Sequence, residues 1–109
     1  MRLLSFLIFS LISFESLSLQ AQTGKDSAIR GKELAESLCS VCHNVGPNPS
    51  SSGKTDIPSF YSIANRQNQS GQNLVGSIIF PHPEMPKVSF TNKELRDITE
   101  YILSLRDQK

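Results

Sequence analysis

The run Cys39-Ser40-Val41-Cys42-His43 constrains this chain more than any other stretch. Its two thiols and imidazole stand at positions i, i+3 and i+4, which share one face of a helical turn. Three groups aimed the same way from so short a segment suit one flat cofactor.

Cys-x-x-Cys alone serves thiol redox pairs and zinc sites equally. A zinc site wants four Cys or His ligands, and beyond Cys39, Cys42 and His43 the chain has one further histidine, His82. A thiol oxidoreductase using Cys39 and Cys42 wants a βαβ scaffold, whereas the flanking patterns here are helical. The histidine directly after the second cysteine makes the run a c-type haem attachment site. Cys39 and Cys42 would form thioethers with the porphyrin vinyl groups, and His43 would reach the iron.

The N-terminus differs from the rest. Arg2 precedes an apolar run, Leu3 to Ile12, that is short for a membrane span, and a polar segment leads to Ala21. This predicts a secretory signal peptide over 1–21, a single domain over 22–109 and a periplasmic location; the alternative, an uncleaved anchor, is opposed by Glu15 and the serines. Removing 1–21 takes away Arg2 and Glu15, so the formal charge of +1 is unchanged and no attraction to nucleic acid or an anionic membrane is indicated. A mature chain of fewer than about 90 residues is marginally stable on burial alone. Both cysteines lie in the motif, so no disulfide framework is available and the cofactor itself becomes the expected core.

Along the mature chain, Gln22 to Asp26 read as a flexible lead-in. Ile29, Leu34, Ala35 and Leu38 recur on one side of a helix from Ser27 to Cys39, with Asp26 or Ser27 as N-cap and Lys32, Glu33 and Glu36 on the wet side. Asn44 to Asp56 is a loop by composition, its Gly, Pro, Asn and Ser residues folding over one haem edge. Ser59 caps a short helix through Phe60, Ile63 and Ala64. Leu74 to Phe80 is apolar enough for a short helix or a strand, and the prolines of Pro81-His82-Pro83-Glu84-Met85-Pro86 predict a stiff extended loop. Thr91-Asn92-Lys93-Glu94 is a capping box, followed by Leu95, Ile98, Ile102 and Leu105 at helical spacing.

Met85 is the candidate second iron ligand. Apart from Met1 it is the chain's only methionine, and it stands between prolines in a polar loop rather than on an apolar helix face, where methionine usually fills a core. His82 is the rival, read here as a surface histidine near the haem rim.

With these residues the chain resembles the class I c-type cytochromes of the small, monohaem, exported bacterial kind. The likeness spans nearly the whole mature sequence: the helix ending in the attachment motif, Ile57-Pro58-Ser59-Phe60, the Met85 loop and the closing helix through Glu100 to Leu105. It implies an all-α cytochrome c fold, three to four short helices around one covalent haem c. It further implies a close crossing of Gly31 against Tyr101, and a Pro58 carbonyl that accepts the His43 Nδ1 hydrogen bond. Ile63, Leu74, Ile78, Ile79 and Phe80 are the expected pocket side chains; Tyr61, Arg66, Gln67 or Asn68 are the candidate propionate partners.

Ligation by both His43 and Met85 leaves no iron site for a small-molecule substrate. The expected function is therefore a soluble electron carrier rather than an enzyme, cycling between ferrous and ferric states. It would be monomeric and would bind redox protein donors and acceptors transiently at a haem edge near Lys87. Two alternatives stand beside it: a gas sensor or weak peroxidase with an open distal site, and a thiol redox protein.

Overall fold

The computed structural model describes residues 15–48 and 56–107. Residues 1–14 of the expected signal peptide, and Pro49 to Thr55 of the expected loop, lie outside the described residues. Four helices follow in order: α1 (Glu15–Leu38), α2 (Phe60–Ala64), α3 (Gly71–Ile79) and α4 (Asn92–Ser104). No strand occurs among the described residues, and the fold is all-α.

The last helix starts where its capping box predicts. The Thr91 hydroxyl accepts the Glu94 N–H at 3.2 Å, and the Glu94 carboxylate accepts the Thr91 N–H at 2.8 Å. Two orphan donors of the first turn are thereby satisfied. Behind the box, Leu95, Ile98, Tyr101 and Ile102 are buried, as their spacing requires. The Ser59 hydroxyl accepts the Ser62 N–H to open α2, and the Ser70 hydroxyl accepts the Asn73 N–H to open α3. The stretch that read as helix or strand is therefore helix.

The first helix departs from expectation. Neither Asp26 nor Ser27 caps it: α1 begins at Glu15, and Gln22 to Asp26 are helical rather than a flexible lead-in. No proline precedes Pro47, and Gly24, the one glycine between Glu15 and Ser27, costs only about 1 kcal/mol in a helix interior, so nothing in that stretch stops propagation. The Ser27 hydroxyl donates to Asp97 of α4 instead of bonding its own backbone. The expected cut after Ala21 falls inside α1.

α1 packs chiefly on α4, and α2 and α3 also rest on α4. At the crossing, a Cβ on Gly31 would lie 1.8 Å from the Asp97 carbonyl oxygen and 2.9 Å from the Tyr101 Cβ. Only glycine permits that approach. The side chain of Asp97 is fully buried beside it. Its carboxylate accepts from Arg30 Nε at 2.9 Å, Arg30 Nη2 at 3.1 Å, Lys93 Nζ at 2.8 Å and the Ser27 hydroxyl. The Arg30 guanidinium, helped by Lys93 and Ser27, holds the Asp97 carboxyl far below the usual carboxylate range despite its desolvation.

Between α3 and α4 the proline-rich segment is turned rather than extended throughout. The Met85 N–H donates to the His82 carbonyl at 3.0 Å. Pro83 occupies the second position of that turn, where its fixed φ is favourable.

Gly31→Ala is expected to force the helices apart and cost about 1–3 kcal/mol or more in urea unfolding. For Asp97 the sign follows from its depressed folded-state pKa: its stabilisation is complete above about pH 4 and is lost as pH falls below that. Asp97→Asn should therefore start about 1–3 kcal/mol less stable at pH 7 and show a shallower acid limb than the native protein, read from unfolding curves between pH 7 and 2.

Candidate haem site

The attachment motif occupies a turn just past the end of α1 rather than the helix itself. The Cys39 N–H still donates to the Ala35 carbonyl at 2.9 Å. Cys42 and His43 then both donate to the Cys39 carbonyl, at 3.2 and 2.9 Å. The helical grouping of i, i+3 and i+4 therefore survives past the helix end.

The His43 Nδ1 lies 2.7 Å from the Pro58 carbonyl oxygen. A carbonyl only accepts, so Nδ1 carries the hydrogen and Nε2 keeps its lone pair for a metal. The Phe60 ring sits 5.5 Å from the imidazole, and Tyr101 sits 6.5 Å beyond Phe60. Backbone ties complete the frame: the Phe60 N–H donates to the Asn44 carbonyl at 2.9 Å, and the Tyr101 hydroxyl donates to the Val45 carbonyl at 2.5 Å.

These elements enclose a cleft of about 800 Å³, its open mouth included. Cys39, His43 and Pro58 line it on the motif side. Phe60, Ile63, Leu74, Ile78, Phe90, Ile98 and Ile102 provide apolar walls, and Arg66, Gln69, Ser77, His82 and Met85 also line it. The donor set is two imidazoles, His43 and His82, one thioether, Met85, and the Cys39 thiol in the wall, with apolar surface between. That set fits a covalently held porphyrin iron.

The expected pocket residues divide. Ile63, Leu74 and Ile78 line the cleft; Ile79 and Phe80 do not, and are 49% and 81% exposed. Leu74, Ser77 and Ile78 share a helix face at i, i+3 and i+4, and each further residue of α3 rotates away from it. Among the candidate propionate partners only Arg66 lines the cleft. Gln67 and Asn68 are exposed beside it, and the Tyr61 hydroxyl donates to the two Asp107 carboxylate oxygens at 2.9 and 2.8 Å. Met85 is half-buried in the lining. His82 lines the cleft too, with its Nδ1 3.1 Å from Glu84.

Sequence reasoning passed over Gln69, Ser77 and Phe90. Ser77 was signalled by its spacing from Leu74. Phe90 directly precedes the Thr91 cap, a position where an apolar residue commonly packs inward. Gln69, whose side chain donates to the Ile63 carbonyl at 2.9 Å, carries no comparable signal.

Burial pushes the Cys39 thiol up, the reverse of what a reactive thiol pair needs. Among the described residues there is neither a strand for a βαβ scaffold nor a group of three or more His, Cys, Asp or Glu able to hold a bare metal ion.

Comparison with known proteins points the same way. The family profile for cytochrome c matches residues 28–106. A cytochrome c-552 of Bradyrhizobium diazoefficiens is 36% identical over 100 residues, covering 92% of this chain and 90% of the relative. A cytochrome c-553-like protein of Synechocystis sp. is 25% identical over 104 residues, covering 94% and 92%. No solved structure matches significantly. The attachment motif, the cleft beside it and a relative matched over nearly its whole length agree: this chain belongs to the cytochrome c family, electron-transfer proteins that carry covalent haem c.

Proposed function

We propose that this electron carrier binds its haem through thioethers to Cys39 and Cys42 and ligates the iron with His43 and Met85. The observation that carries the reading is that His43 and Met85 line one cleft, with the His43 Nδ1 already engaged by Pro58. Bound haem c supplies a one-electron ferrous/ferric couple.

The chain's own residues then do three things. The Pro58 carbonyl fixes the tautomer and ring orientation of His43, and raises the basicity of the ligating nitrogen. The turn at Pro83, with Pro86 beyond it, limits the conformations open to Met85, so little entropy is lost when the thioether is held. Ile63, Leu74, Ile78 and Ile98 exclude water from the cleft. Arg66 supplies a cation for a propionate, a role in which charge-assisted hydrogen bonds are strong. A site framed in this way requires little rearrangement on one-electron transfer.

The partners are redox proteins met in transient encounters by a monomer. The exposed Val41, Ile79, Phe80 and Val88 are sequence neighbours of the cleft and offer an apolar docking rim, with Lys87 beside it. The signal-like segment over residues 1–21 supports export to the periplasm. Among the described residues no helix is long and apolar enough to cross a membrane.

Absorption spectra of the haem-loaded protein test the ligand pair. The ferric form should show a far-red charge-transfer band that disappears in Met85→Ala and persists in His82→Ala. A high-spin ferric spectrum of the native protein would refute the reading in favour of an open distal site. With a formal net charge of +1, electron-transfer rates with a protein partner should change only about severalfold between low and physiological salt in stopped-flow measurements. A steep fall would mean that local charge, not the apolar rim, governs docking.

A further inference from the structure

We infer that the Tyr101 hydroxyl is a positioning group for His43, acting through the backbone of residues 43–45. The inference rests on the proposed role of His43 as an iron ligand.

Tyr101 does two separable things. Its Cβ forms part of the Gly31 crossing, a task any aromatic side chain performs. Its hydroxyl does something else: it donates to the Val45 carbonyl, joining α4 to a point two residues beyond His43 and 56 positions away in sequence. Packing alone does not require that oxygen, and Tyr101 is only 6% exposed, so the bond is shielded from competing water.

Each of three consecutive residues is thus anchored outside its own segment. His43 is held by the Pro58 carbonyl, Asn44 by the Phe60 N–H and Val45 by the Tyr101 hydroxyl. The first two anchors belong to the same short stretch, residues 58–60, which can move together with the loop it grips. The third comes from α4, which is locked to α1 by the Asp97 carboxylate. α2 is also tied near its far end, where Arg106 donates to the Ala64 carbonyl and Asn65 to that of Leu105. The Tyr101 bond ties α4 directly to the 43–45 segment. Without it the segment opens more often, and the hydrogen bond from His43 Nδ1 to Pro58 opens with it.

The readout is solvent exchange of the iron-shifted His43 Nδ1–H in the NMR spectrum of the haem-loaded protein. Tyr101→Phe keeps the ring and removes the tie. It should speed that exchange about fivefold, the effect of losing one net hydrogen bond, and shift the reduction potential upward as the ligand loses basicity. Ser70→Ala, which weakens the fold at the α3 cap, should leave both unchanged. Equal acceleration in the two variants, or none in Tyr101→Phe, overturns the inference and leaves the ligand assignment standing. A native protein with no iron-shifted imidazole N–H overturns the ligand assignment and this inference together. If Tyr101→Phe does not accumulate with haem, native-state exchange in rising urea decides: the Tyr101 hydroxyl and His43 Nδ1 protons must open in one step, and two separate steps overturn the tie.

Discussion

The missing side chain at Gly31 is the constraint from which the rest of this structure follows. It lets the backbone of α1 approach the Asp97 carbonyl at a distance no Cβ would allow, and so fixes where the first and last helices cross. With α4 placed there, Ile98 and Ile102 become walls of the cleft, and α2 and α3 gain the surface on which they rest. The buried Asp97 charge would be costly alone. Placed among Arg30, Lys93 and Ser27, it fixes the register of a crossing that apolar packing would leave freer to slide.

The cleft follows a different logic. The groups that hold His43 and its neighbours are backbone carbonyls and N–H donors and a neutral phenol, not charges. Neutral dipoles fix geometry without adding a strong field of either sign at the centre. A carrier benefits from that arrangement, since the same frame must serve two oxidation states that differ by one charge.

How much of this was legible in the sequence depends on the range of the interaction involved. The attachment motif, the Ser59 cap and the Thr91-to-Glu94 box are local patterns, and they read correctly because their chemistry is complete within a few residues. The family likeness carried the Gly31 crossing and the Pro58 contact, which no local pattern could have placed. The start of α1 is not legible in the sequence, because Ser27 resembles a cap until its partner on α4 is known. Hydrophobicity alone points Ile79 and Phe80 into the pocket, whereas the last residue of α3 and its C-cap both face solvent. Likewise, nothing near Tyr61 announces that its hydroxyl meets Asp107, 46 positions on.

The pairing of the first and last helices also sets an order of events. The bonds that close the fold join residues 67 and 70 positions apart, so α1 has no surface to dock on until Asn92 to Ser104 have emerged. Loop closure over such a span comes late in chain collapse. Cys39 and Cys42 leave the synthesis machinery long before that. During this interval the chain presents its attachment motif as an open peptide, accessible to chemistry that the finished cleft, with Cys39 in its wall, would hinder.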